Sequence, residues 1–477
     1  MGARRLPAQL EDLSAFLVGI KGTGMTALTE ILVRAGARVA GSDIAEVFYT
    51  DALLARLGVD VHTGFDAAAL PDAADLVVYS AAYDPEANPQ LLAARERGLP
   101  LLTYTEALGE LSVGRTALGV SGVHGKTTTT AMIGGLVKHL GLPGAVLVGS
   151  AVSEFDGMST YSGGQDFFVA ETCEYRRHFL DFHPDIIIVT SVEPDHLDYY
   201  RDYADIRDAF ISYTELLPAG GTLIYCSDDK GAREVAAAAS KRRPDITLSA
   251  YGHGAEGPFG IDEVEMMPGR TRFRLRGFDH DFDVRVPGEH NVVNAAAALA
   301  AVSALAGRID EAAAARALGS FAGTRRRSEV IGEAGGVLFL DDYGHHPTAI
   351  RMTLAGLRRF YPDRRLVVDF MSHTYSRTAA LLEEFAGCFA DADEVILHEI
   401  YASAREAFDG SIDGRDLADA VSGRHGYVRY IEKVHDAAGV LRESLRPGDL
   451  FLTMGAGNNW VLSHELYAAF SKETADT

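Results

Sequence analysis

The stretch Thr116-Ala117-Leu118-Gly119-Val120-Ser121-Gly122-Val123-His124-Gly125-Lys126-Thr127-Thr128-Thr129-Thr130 decides the fold. Its first six residues are an apolar run of the length and composition of a buried strand. A glycine-flanked turn follows, and then a segment that reads as a helix to about His139. Backbone N–H groups in such a turn cradle phosphate oxygens, and the helix N-terminus adds positive potential. Gly122, Val123, His124, Gly125, Lys126, Thr127 and Thr128 are therefore the expected nucleotide-phosphate contacts. Lys126 would reach the β- and γ-phosphates, and the Thr127 hydroxyl would ligate magnesium. The pattern is shorter than a full Walker loop, because Val120 stands where the outer glycine belongs. The competing reading is a bare strand-to-helix turn.

The unit of strand, glycine- or aspartate-rich turn and amphipathic helix recurs on both sides of this stretch. That alternation predicts an α/β fold with mostly parallel sheets. The length of 477 residues allows two to four domains at roughly 100–200 residues each. Three blocks separate, 1–112, 113–322 and 323–477, the last boundary marked by Gly323 and the basic run Arg325-Arg326-Arg327. Strands are expected at 15–20, 37–40 and 75–80 in the first block. In the second they are expected at 116–121, 167–171, 186–190 and 222–226, and in the third at 337–341, 366–370, 394–397 and 450–454. Residues 259–286 alternate apolar and polar side chains between turns, which predicts a small antiparallel sheet. The alanine-rich stretch 291–305 predicts a helix.

Three more motifs sit where expected strands end, and parallel sheets collect ligands at their carboxyl ends. Glu193-Pro194-Asp195-His196-Leu197-Asp198 follows the 186–190 strand. Its carboxylates and imidazole suit a hard metal. The 167–171 strand ends in Glu171, with Glu174 three residues on, so Lys126, Glu171 and His196 should converge. A hydrogen-bonded structural histidine is the alternative for His196. Asp341-Asp342-Tyr343-Gly344-His345-His346-Pro347 clusters acids and imidazoles at a junction whose Pro347 fits a first helical turn. A helix cap with solvated histidines is the alternative. Gly19-Ile20-Lys21-Gly22-Thr23-Gly24-Met25 follows the first strand, with Asp43 ending the next. It resembles a dinucleotide-binding turn, but the spacing is not G-x-G-x-x-G; another nucleotide diphosphate or a bare turn fits as well.

The formal net charge of −23 opposes a nucleic-acid partner, which wants a basic face. No apolar run is long enough for a membrane span, and the charged N-terminal stretch lacks a secretory h-region. Three scattered cysteines, Cys173, Cys226 and Cys388, argue against a disulfide framework or zinc site and for a reducing cytoplasm.

Taken in order, these motifs resemble those of the Mur ligase family of peptidoglycan synthesis over nearly the whole chain. Further matching stretches are Gly288-Glu289-His290-Asn291-Val292-Val293-Asn294, His373-Thr374-Tyr375-Ser376-Arg377-Thr378 and Met454-Gly455-Ala456-Gly457-Asn458, with residues 321–329 and 401–406. The resemblance implies an N-terminal Rossmann-like UDP-binding domain, a central P-loop ATPase domain and a C-terminal Rossmann-like domain that closes over the site. It implies that Gly22, Thr23, Gly24, Asp43, Ser80 and Ala81 hold the UDP-sugar, and that Asn291, Arg327 and Asp342 reach ATP. Thr127, Glu171 and His196 would hold magnesium, two ions in all. Lys126, Glu171, His196, His345 and His346 would be catalytic, with His345 or His346 accepting the amine proton. Tyr375, Arg377 and Arg405 would surround the carboxylate and the incoming amino acid.

Two departures stand out: Cys173 where many relatives carry aspartate, and Thr374 where some carry arginine. Residues 208–211 offer no lysine for carbamoylation, which resembles the alanine-adding branch. Its substrates would be UDP-N-acetylmuramate, L-alanine and ATP, joined through an acyl phosphate by a monomer or weak homodimer. A branch member attaching a recycled tripeptide is the near alternative. An NAD-dependent oxidoreductase and a non-catalytic nucleotide-binding module are the distant ones.

Overall fold

The computed structural model describes residues 6–7, 10–196, 199–402, 408 and 410–475. It holds three sheets. The first has strands β1 (Ser14–Val18), β2 (Arg38–Asp43), β3 (Asp60–Thr63), β4 (Leu76–Tyr79) and β5 (Leu101–Thr103). They run parallel in the order β3-β2-β1-β4-β5. This is a doubly wound sheet, whose ligand crevice opens where the order reverses, beside β1 and β4. β1 stops at Val18, short of the expected 20, because Gly19 turns the chain at φ +82°. A Cβ there would lie 2.6 Å from the Tyr83 ring.

The second sheet has ten strands: β6 (Thr116–Ser121), β7 (Gly144–Val152), β8 (Met158–Ser162), β9 (Phe167–Glu171), β10 (Ile186–Val189), β11 (Thr222–Cys226), β12 (Thr247–Gly252), β13 (Phe259–Met267), β14 (Arg270–Leu275) and β15 (Asp281–Val284). Their order is β15-β14-β13-β12-β11-β10-β6-β9-β7-β8. The antiparallel strands expected at 259–286 are β13, β14 and β15. They are not a detached sheet, because the start of β13 pairs parallel with β12 and carries the ribbon onto the main sheet. β6 lies between β9 and β10, in register Val120 to Glu171 and Ser121 to Val189. These three strands therefore end level. The helix His290–Ala306 is buried from Asn294 to Val302. Its alanines let it lie close to the helix Lys126–His139, which begins at the phosphate loop.

The third sheet has β16 (Glu329–Ala334), β17 (Val337–Asp342), β18 (Arg365–Met371), β19 (Glu394–Leu397), β20 (Val428–Tyr430) and β21 (Asp449–Gly455). Its order is β16-β17-β21-β18-β19-β20, parallel except at β16.

The first two units share one continuous apolar core, in which Leu28 and Leu32 belong with Val146, Val148 and Met158. The buried Glu30 of the helix Thr23–Arg34 also accepts a 2.9 Å hydrogen bond from the Ser159 N–H. The third unit has apolar clusters of its own on the two faces of its sheet. The unit meets the rest through polar side chains, the connecting segment at 321–328 and the close approach of Gly356 to Gly288, where a Cβ would lie 2.6 Å from the Gly288 Cα. No helix among the described residues is long and apolar enough to cross a membrane.

Candidate active site

The carboxyl ends of β6, β9 and β10 open into a cavity of about 1060 Å³, also lined by the first and third units. Gly122 has φ +131° and Gly125 has φ +81°. A Cβ at Gly122 would sit 2.1 Å from Thr190 Oγ1, so the loop needs glycine there for both conformation and space. The loop is pinned from β10: Val123 N–H donates to the Ser191 carbonyl at 3.0 Å, and His124 N–H to Ser191 Oγ at 2.9 Å.

Lys126 and Glu171 come together as expected, but Glu174 is the hub. Lys126 Nζ donates to both Glu174 oxygens, at 3.1 and 3.0 Å, and to the Gly122 carbonyl. Glu174 is 1% exposed, and His196 Nε2 stands 3.7 Å from its other side. Burial alone would push the Lys126 ammonium down, but Glu174 and the neighbouring acids raise it above its ordinary range. Burial pushes Glu174 up, and Lys126 with His196 outweighs that, so Glu174 stays ionised. Its signal in the sequence was its place three residues beyond a carboxylate at a strand end.

Glu171 accepts from Thr127 Oγ1 at 3.0 Å and from Gly149 N–H at 2.5 Å. Burial raises its pKa. Arg327 reaches 3.5 Å from Thr127 Oγ1. The pair Thr127–Glu171 is thus an oxygen donor set beside the Gly122–Lys126 loop, and an oxygen shell suits magnesium. His196 packs its ring 4.7 Å from Tyr175 and turns Nε2 toward Glu174 and Asp195, at 3.7 and 3.8 Å.

From the third unit, Asp342 accepts from Ser328 N–H at 2.7 Å and Gly344 N–H at 2.6 Å. Those bonds order the turn that carries His345 and His346 into the cavity. His345 Nδ1–H donates to the Tyr343 carbonyl at 3.0 Å, which leaves Nε2 with the lone pair. Burial and then Arg377 drive its pKa well down, so the ring is neutral. His346 instead caps the helix Pro347–Phe360, Nδ1 accepting from Thr348 N–H at 3.3 Å. His346 thus forms the helix cap of the alternative reading, but its ring is buried rather than solvated and lines the cavity.

Asp195 and Arg377 join the second and third units by a 3.1 Å ion pair. Burial raises Asp195, but His196, Arg377 and His345 outweigh it and hold the carboxyl below the ordinary range. Arg377 also contacts His373 Nδ1 at 3.1 Å. The Tyr375 ring packs 5.2 Å from Phe408. Arg405 lies outside the described residues.

At the start of the helix His290–Ala306, Asn291 donates to the Pro287 carbonyl at 2.7 Å and accepts from Asn294 at 3.1 Å. Burial pushes His290 down to about 4.

In the first unit, Gly22 and Thr23 face the common cavity. Gly24 serves packing, since a Cβ would lie 2.7 Å from Tyr104. Asp43 is 4% exposed and spends its oxygens on Lys21 N–H, Ile44 N–H and Tyr83 OH. It therefore shapes the turn from behind. Ser80 and Ala81 border the crevice beside β4, away from the common cavity. The segment 46–50, unforeseen in the sequence, reaches into the cavity and carries Tyr49 to 3.3 Å from Thr23 Oγ1.

Three family models match the chain in order. They are the Mur ligase family catalytic domain at residues 16–116, the Mur ligase middle domain at 120–302 and the Mur ligase glutamate ligase domain at 326–457. A UDP-N-acetylmuramate–L-alanine ligase of Treponema pallidum (strain Nichols) is 53% identical over 98% of this chain and 99% of its own length. One from Desulfitobacterium hafniense (strain Y51) is 39% identical over 95% and 99%. Among solved structures, the UDP-N-acetylmuramate–alanine ligase of Thermotoga maritima superposes with a TM-score of 0.80 at 24% identity, over 97% of this chain and all of that one. A murein peptide ligase from Psychrobacter arcticus gives 0.69 at 23% identity, over 96% and 99%.

Proposed function

The chain belongs to the Mur ligase family, and on that premise we propose that it is an enzyme that ligates L-alanine to the carboxylate of UDP-N-acetylmuramate at the expense of ATP. The observation that carries this reading is one cavity that gathers three sets of groups. They are a phosphate loop with a paired lysine, the Thr127–Glu171 oxygen pair, and basic and imidazole groups of the third unit.

A carboxylate is a poor electrophile, so the γ-phosphoryl group of ATP passes to the muramyl carboxylate. The amine of alanine then attacks the acyl phosphate, and phosphate leaves. Positioning and charge stabilisation are the protein's main contributions. The loop N–H groups and Lys126 hold the phosphates, and Arg327 supports them from the third unit. Magnesium, when bound at Thr127 and Glu171, neutralises phosphate charge; a second ion would lie toward His196. Asn291 and Asp342 bound the nucleotide side. Gly22 and Thr23 begin the UDP-sugar side, with Ser80 and Ala81 at its outer rim. Of the two candidate bases, His345 is the one with a lone pair at Nε2, so it accepts the amine proton. Arg377, Tyr375 and Arg405 are assigned to the amino-acid side. Residues 1–112, 113–322 and 323–477 are taken as the three working units of a cytoplasmic monomer or weak homodimer.

The test is phosphate release with UDP-N-acetylmuramate, L-alanine and MgATP, each omitted in turn. Release should need all three. Efficient turnover of a tripeptide with none of alanine would replace this reading with the tripeptide-attaching one.

A further inference from the structure

Three side chains in the cavity are given no task by the steps assigned to the loop N–H groups, Lys126 and His345. His124 of the phosphate loop, Glu193 beyond β10 and His346 of the third unit bring three donor atoms within 4.8 Å of one another. His124 Nε2 and Glu193 Oε1 are in ion-pair contact, 2.5 Å apart. The two imidazole rings are 5.1 Å apart. His346 is only 7% exposed, and its Nε2 has no hydrogen-bond partner among the described residues. A buried imidazole nitrogen left without a partner is a costly arrangement unless something occupies it. The other Glu193 oxygen is steadied by Thr348 Oγ1 at 3.3 Å.

We propose that His124, Glu193 and His346 form a site for one zinc-class divalent cation, which clasps the third unit to the phosphate loop. Two imidazole nitrogens and one carboxylate oxygen, with a fourth position open, are a set that zinc accepts. Magnesium prefers an all-oxygen shell and is served by Thr127 and Glu171 instead. Nitrogen donors select the later first-row metals over magnesium. Zinc bonds of about 2.0–2.1 Å require His124 and Glu193 to separate slightly and His346 to draw in. Ligation takes the Nε2 lone pair of His346, so its ring proton moves to Nδ1. The long cap contact from Thr348 N–H is then given up.

The experiment is a zinc titration of the full chain against a chromogenic chelator, in excess magnesium and without substrates, with cobalt as a spectroscopic stand-in. Because no substrate is present, its outcome is independent of the ligase reading. One zinc per chain is expected, and the cobalt form should show a visible band of low-coordinate type. Glu193→Gln and His346→Gln should each weaken binding by more than about tenfold, while Cys173→Ser, at a thiol outside the cluster, should bind as the parent does. Zinc should also shrink the radius of gyration measured by solution scattering. The site is refuted if the parent takes up no zinc, if both ligand variants bind like the parent, or if only Cys173→Ser loses it. Zinc uptake with an unchanged radius would overturn the clasp.

Discussion

At the scale of single residues, the buried pair Lys126–Glu174 sets the terms of any test of the phosphate site. Lys126→Met should lower phosphate release by about 10²–10³-fold, the usual worth of one charge-stabilising donor. It should also unfold more easily, because Glu174 at 1% exposure loses its cation, and breaking a buried pair costs about 3–5 kcal/mol. The double variant Lys126→Met, Glu174→Gln should recover the denaturation midpoint without recovering turnover. A catalytically active double variant would remove Lys126 from the chemistry.

A second buried pair titrates. His398 and Asp369 are both 0% exposed and 2.7 Å apart, and His398 Nδ1–H also donates to the Ile431 carbonyl at 2.7 Å. Burial alone would lower His398, but Asp369 raises it above its ordinary 6.5. The folded pKa therefore exceeds the unfolded one. The pair's contribution is complete below about pH 6.5 and is lost as pH rises through the folded value. Denaturant midpoints should fall across that alkaline window in the parent, and His398→Gln should flatten the slope.

At the scale of elements, the phosphate loop and the helix behind it were readable because local chemistry constrains them. Only glycine fits φ +131° with Thr190 Oγ1 pressed against its missing Cβ. Gly122→Ala should therefore destabilise by about 1–3 kcal/mol of backbone strain and stop ATP use. Gly135, in the same helix, has nothing within 4 Å of a built Cβ. Gly135→Ala should raise stability by roughly 0.5–1 kcal/mol and leave turnover unchanged. Thermal unfolding of the two variants, with opposite signs, checks the register of loop and helix together. The strands that escaped the sequence reading show the opposite case. β3 is Asp60–Thr63, exposed and mixed in character, and β5 is only three residues long. β7 and β8 carry small and polar residues among the apolar ones. Such segments become strands because a neighbouring strand supplies their hydrogen bonds, which no local pattern records.

At the scale of the molecule, the first two units share a core and the third keeps its own. What joins the third to the rest of the site is polar: Asp195–Arg377 at 3.1 Å, Thr348–Glu193 at 3.3 Å and Arg327–Thr127 at 3.5 Å. Polar contacts of this kind break and remake more readily than a packed core, so an opening of the third unit would cost less than one between the first two. Asp195→Asn should lower kcat/KM by about tenfold or more, roughly 1.4 kcal/mol. It should also lower the unfolding midpoint, because Arg377, 12% exposed, loses the carboxylate that neutralises it. Unchanged kinetics would mean that this pair is absent from the working state.

The sequence by itself determined the strand–loop–helix units, their order in three blocks, and the residue types at the ends of the strands. These are local properties, fixed by periodicity, glycine conformation and motif spacing. Only the tertiary structure decided which of those residues meet. It made Glu174 the partner of Lys126, turned Asp43 inward as a turn brace, and set His345 and His346 in opposite tautomers. It also carried segment 46–50 into the cavity and brought His346 to the phosphate loop across 222 positions of chain. The physical reason is that such pairings depend on how sheets twist and cores pack, and so on every residue at once.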